Sequence, residues 1–155
     1  MDELIDKAYK KANFYYYAVF AKAGFFALLG FIVNRQYPTY FNIPQEIITL
    51  VSTFSMLYLI ASIPFALWIF SKKVAVVATI EDETSRYTSY MNWVKIRMGL
   101  IGTNFVLNVI LYFTMHSMSF FYAAGIGSIA MFFCKPSKIN IGKELNPVTE
   151  IEKEI

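Results

Sequence analysis

The sequence predicts an all-α polytopic membrane protein, a four-transmembrane-helix up-down bundle with both termini cytoplasmic. Three observations predict it. The chain of 155 residues is 57% hydrophobic and 18% aromatic, with a mean hydropathy of +0.46. Only 16% of it is charged, where a soluble domain carries about 25%. One small soluble domain cannot hide that much apolar surface, whereas lipid is a solvent for it. The apolar residues also fall into four long runs, and the basic residues fall almost wholly on one side of them.

The first run covers residues 14–33 and is interrupted only by Lys22. The second, 47–70, contains no charged residue. The third spans 97–115 and is uncharged from Met98 onward; the fourth, 118–134, is uncharged throughout. About twenty residues at 1.5 Å each cross a hydrocarbon layer of roughly 30 Å. The first two runs reach that length outright, and the last two need their flanks. Helices are expected because each satisfies its own backbone hydrogen bonds in lipid.

The breaks agree with this division. Residues 34–44, NRQYPTYFNIP, hold two prolines and two asparagines, and Pro44 suits the start of a helix. HSMS at 116–119 predicts a tight turn between runs three and four. The connection 71–97 is longer, and its part EDETSRYTSYMNWVKIR can extend helix three below the membrane, with Thr79 a candidate cap. Helix one can likewise begin before its span. Residues 136–155 read as a polar cytoplasmic tail beyond a transmembrane domain at 1–135. The N-terminal stretch is acidic as well as basic and lacks a signal-peptide cleavage pattern, so run one is expected to stay as an anchor.

Setting Lys22 aside, twelve of the lysines and arginines flank the runs on one side, and only Arg35 lies on the other. The positive-inside rule then places both termini and the middle connection in the cytoplasm, in a cell (inner) membrane. The net charge of +3 gives no reason to expect nucleic acid.

Candidate functional residues are the polar groups inside the runs. Lys22 either snorkels to the headgroups past the belt Tyr15, Tyr16, Tyr17, or makes a buried polar contact. No run contains a carboxylate, which argues against a proton relay or an acidic cation site. Asn104 and Asn108 are four apart and share a helix face. Helix two carries hydroxyls at Ser52, Ser55 and Ser62, with Tyr58 nearby. These groups serve either as glue between helices or, with Lys22, as the lining of a polar cavity. Ala123, Gly127 and Ser128 form a small-residue face suited to another helix of this chain, a second copy or a membrane-protein partner. Cys134 is the lone cysteine and His116 the lone histidine, so neither an internal disulfide nor a Cys- or His-rich metal site is expected. No nucleophile, phosphate loop or acid–base set is visible, so no enzyme activity and no cofactor are expected.

The function expected is therefore that of a small, non-catalytic membrane component that associates with itself or with another membrane protein. The alternative is a small transporter or channel protomer whose neutral polar cavity, formed by Lys22, Asn104, Asn108, Ser55 and Ser62, holds one lysine and takes an anionic or amphipathic ligand.

Overall fold

The structure is a computed structural model and describes residues 2–37 and 42–145. Among these the chain is all-helical: α1 (Asp2–Gln36), α2 (Gln45–Val77), α3 (Glu83–Met115), α4 (Met118–Phe133) and α5 (Lys138–Leu145). The first three are long and apolar enough to cross a membrane. A fourth candidate is α4 joined to α5 across a 67° bend.

The helices begin and end where the chemistry dictates. Pro44 directly precedes α2, its fixed φ of −56° leading into the first turn. The start of α3 corrects one expectation. Asp82, not Thr79, is the cap: its carboxylate accepts from the Ser85 backbone N–H at 2.8 Å, while the Thr79 hydroxyl turns back to the Val76 carbonyl. Hydrogen bonding from Ser85, first through its hydroxyl and then through its backbone N–H, holds the Asp82 carboxyl below its ordinary value. Between α3 and α4 the chain reverses in two residues. His116 adopts the left-handed conformation (φ 53°) that closes α3, and α4 starts at Met118. α2 continues unbroken through Pro64.

α3 is the hub. It packs against α1, α2 and α4, and α4 also touches α2, whereas α1 rests on α3 and α5 and scarcely meets α2 or α4. The contacts set the directions. Val19 meets Gly102 and Gly30 meets Phe113, so α1 and α3 run parallel. Ser55 bonds Asn108 and Phe70 stacks near Arg97, so α2 runs antiparallel to α3. Gly127 meets Phe105 while Phe121 meets Tyr112, which makes α4 antiparallel too.

Glycine makes three of these approaches possible. A Cβ on Gly30 would lie 2.6 Å from Phe113 Cβ, and one on Gly102 would lie 2.8 Å from a Val19 methyl. At Gly127 it would lie 3.2 Å from the Phe105 Cα, which is backbone and cannot step aside. Where α1 reaches Phe113, Asn34 also donates from Nδ2 to the Phe113 carbonyl at 3.2 Å.

The bundle is densest at one end. The main core joins Ala8, Ala12 and Tyr16 of α1 to Phe70, Val74 and Val77 of α2, Tyr90, Val94 and Met98 of α3, and Ile141 and Leu145 of α5. Most of the cations lie at this end, and among the described residues six of them rest on aromatic faces. Lys72 lies 4.4 Å from the Trp68 ring centre, Lys73 5.5 Å from Trp93, and Lys95 5.6 Å from Tyr15. At the other end α1 is nearly bare, with Phe25, Leu28, Phe31 and Ile32 all exposed.

Part of the predicted tail is structured. Residues 138–145 form α5 because Ile141 and Leu145, one turn apart, both find the core. Lys138 pairs with Asp6 on α1, which holds the Asp6 carboxyl below its ordinary value. Tyr90 donates its hydroxyl to Glu144 at 2.6 Å. Burial, and then the Glu144 charge, push the Tyr90 phenol up, so it remains a donor.

Candidate functional site

The polar residues predicted inside the runs divide into two places. Four of them meet in one seam between α2 and α3. The spacing explains it: Asn104 and Asn108 are one turn apart on α3, and Ser55 and Ser62 are two turns apart on α2. The two helices are antiparallel, so the pairs match in order.

The seam is a directional chain. The Ser55 hydroxyl donates to Asn108 Oδ1 at 2.6 Å. Asn108 Nδ2 donates twice to Asn104, to its backbone carbonyl at 2.9 Å and to its Oδ1 at 2.8 Å. Asn104 Nδ2 reaches the Ser62 oxygen at 3.4 Å, and Ser62 in turn donates to its own helix, at the Leu59 carbonyl. Both asparagines are 0% exposed and both serines 6%. Neither asparagine is left with a buried polar atom lacking a partner. A sealed and satisfied network of this kind holds helices in register. Its groups are already committed to one another, so it presents no free donor or acceptor to a ligand.

The rest of the helix-two hydroxyl stripe does something else. Ser52 bonds back to the Thr49 carbonyl at 2.9 Å, and Tyr58 is 39% exposed.

Lys22 stands outside the seam. It is exposed, and lines an open groove of about 260 Å³ between α1 and α3. Val19, Met98, Gly102, Thr103 and Leu107 form most of the remaining wall. α1 approaches α3 from the side away from α2, and this separates the lysine from the asparagines.

The small-residue face of α4 is spent within the chain. Ala123, Ala124 and Gly127 are buried, with Gly127 against Phe105. Ser128 is half-buried and donates to the Gly125 carbonyl at 2.8 Å. Ala124, Gly125 and Ser128 also edge a second open groove of about 340 Å³, whose other walls are aromatic and aliphatic, Phe105, Val109, Phe113 and Phe121 among them.

Sequence reasoning missed the cluster at the densest end, where Tyr90, Arg97 and Glu144 come together from α3 and α5. Tyr90 and Glu144 are 54 residues apart, and only the folding of α5 brings them close. The available signal was Arg97 at the edge of an apolar run. Among the described residues no three of His, Cys, Asp and Glu are grouped to hold a metal ion.

Comparison with protein-family models, with curated proteins and with solved structures finds no match to this chain.

Proposed function

We propose that this chain is a small, non-catalytic integral membrane component that crosses the bilayer four times and works by helix–helix association with itself or with a membrane-protein partner. The observation that carries the reading is the closed seam. Asn104, Asn108, Ser55 and Ser62 are consumed in holding α2 to α3, while Lys22 lies apart from them. A polar pathway through the chain would need those groups accessible to solvent or substrate. What remains on offer is an apolar exterior, above all the bare half of α1. The small residues of α4 are taken up by α3, so a partner would meet α1 or the groove edged by Gly125 and Ser128.

The orientation follows the charges. The end that bears Lys72, Lys73, Lys95 and Lys138 on aromatic faces fits the cytoplasmic interface, and Arg35 and Glu46 lie at the opposite end. Single-cysteine labelling tests it in intact inner-membrane cells, since the native Cys134 is buried. With an impermeant maleimide, Glu46→Cys is expected to label from outside, and Lys11→Cys only after permeabilisation. The reverse pattern sinks the topology. Purification in a mild detergent, with mass analysis of the assembly, tests association; a bare monomer that retains no partner contradicts it.

A second reading is favoured by the Lys22 groove, in which one amine borders an apolar channel-like surface suited to an amphipathic anion. Lys22→Met separates the two. If the lysine only snorkels, the variant is expected to fold with unchanged or slightly raised thermal stability and unchanged host phenotype. Loss of an anion-dependent phenotype with the fold intact would favour the carrier reading instead.

A further inference from the structure

Where α3, α4 and α5 converge, the structure encloses a small polar cavity of about 50 Å³. By the volume a water needs, that is room for about four water-sized groups, the scale of a phosphate. Arg97 and Glu144 line it with Lys135, Ser137 and Asn140, and Tyr90, Val94 and Cys134 form its floor. The cavity therefore holds two cations and one anion.

The arginine is set up to receive something. Its guanidinium lies 3.8 Å from the Phe70 ring centre, which fixes its plane. Its Nε is buried with no hydrogen-bond partner. Arg97 forms no ion pair among the described residues, although Glu144 lines the same cavity. Nε itself is closed off, so a ligand in the cavity would meet Arg97 through the rest of its guanidinium, a cation whose removal from water is costly unless an anion pairs with it. Glu144 is engaged at one oxygen by Tyr90. The other oxygen can accept from a cation.

The position selects the source. Arg97 opens the apolar part of α3, and Cys134 closes that of α4. Around them Lys72, Lys73 and Lys95 lie over Trp68, Trp93 and Tyr15. Amphipathic rings and cations at one level mark a headgroup plane. Phe133, at the rim of the cavity, is 83% exposed and faces the surroundings, where an acyl chain would run.

We propose that this cavity seats the phosphate of a bilayer phospholipid on Arg97 and Lys135, with a headgroup amine directed to Glu144. The proposal goes beyond the association reading but rests on the chain lying in a membrane.

The test uses the full chain in detergent, with binding read by native mass spectrometry and by thermal stability. The probes are short-chain phosphatidylethanolamine, phosphatidylglycerol and phosphatidylcholine, and inorganic phosphate. Wild type is expected to bind the ethanolamine lipid about tenfold more tightly than the other two. Arg97→Gln is expected to lose at least tenfold on every phospholipid. Glu144→Gln is expected to retain binding but abolish the ethanolamine preference. Because Arg97 also stacks on Phe70, Lys135→Gln and Asn140→Leu serve as second variants. Both positions are exposed, and each is expected to weaken binding several-fold with the fold intact. Lipid affinities that none of the four substitutions changes overturn the site. Inorganic phosphate that gives the same Arg97-dependent stabilisation as the lipids overturns the lipid assignment and leaves a free-phosphate site. Failure of the labelling experiment above would show instead that the chain does not sit in the bilayer as proposed, so the two failures are distinct.

Discussion

Replacing Gly30 with leucine is expected to detach the far half of α1 from α3. The new side chain would begin 2.6 Å from Phe113 Cβ, close to the backbone of α3, where no rotamer change can clear it. Overpacking of this kind costs typically about 1–3 kcal/mol. Gly102→Leu acts at the other end of the same seam, against the branched and stiff Val19. Val19 and Gly30 are eleven residues apart, roughly 16 Å along α1, so the two losses should add. Gly24 supplies the control. Nothing lies within 4 Å of a Cβ placed there. Gly24→Leu is therefore expected to be silent, or to stabilise by up to about 1 kcal/mol through helix propensity. Thermal unfolding of the four proteins in one detergent measures all this. A Gly30→Leu protein as stable as Gly24→Leu would mean that α1 does not lean on Phe113.

Asn108→Ala is expected to be the most damaging single truncation in the polar seam. Asn108 is the middle link. It accepts from Ser55 and donates twice to Asn104, so its loss strands groups on both sides. A stranded buried polar group costs about 1–3 kcal/mol. Ser55→Ala should cost less, since it removes one donor at the end of the chain. The abandoned serine in Asn108→Ala can turn to a carbonyl of its own helix, whereas the abandoned Asn104 Oδ1 cannot. A double-mutant cycle of Ser55→Ala and Asn108→Ala isolates the pair, with a coupling expected between about 0.6 and 1.7 kcal/mol. Measured by reversible unfolding in mixed micelles, a coupling near zero would show that the 2.6 Å bond contributes nothing to holding α2 on α3.

How much of this was legible in the sequence depends on whether a feature is local. The helices were legible, because a run such as 47–70 has only one way to satisfy its backbone in lipid. The two-residue reversal at His116 and the i, i+4 pairing of Asn104 with Asn108 were also local, and both appear in the structure. The partners were not local. Nothing in α1 or α3 alone says that Gly30 meets Phe113, or that α3 rather than a shared axis is the hub. Lys22 and Asn104 look equally intramembrane in sequence; which face of α3 receives α1 decides that they stay apart. α5 was hidden because KINIGKEL is polar on average, and its two apolar anchors matter only once a core exists beneath them. The cap misled for a simpler reason: Thr79 and Asp82 are both good capping residues, and only the backbone turn at 78–82 chooses between them.

The hub arrangement has a consequence for how the chain is made. α1 leaves the ribosome first, yet its partner within the apolar layer, α3, is complete only at residue 115. At about 5–20 residues per second, the 79 residues that separate the two helix ends take roughly 4–16 s to synthesise. For that interval α1 is without its α3 partner, and on the membrane reading its entry into lipid would depend on its own apolar length alone. On the membrane reading proposed above, the aromatic belt Tyr15, Tyr16 and Tyr17 and a Lys22 stem reaching back to the headgroups would be what keeps the first span in place until the third arrives.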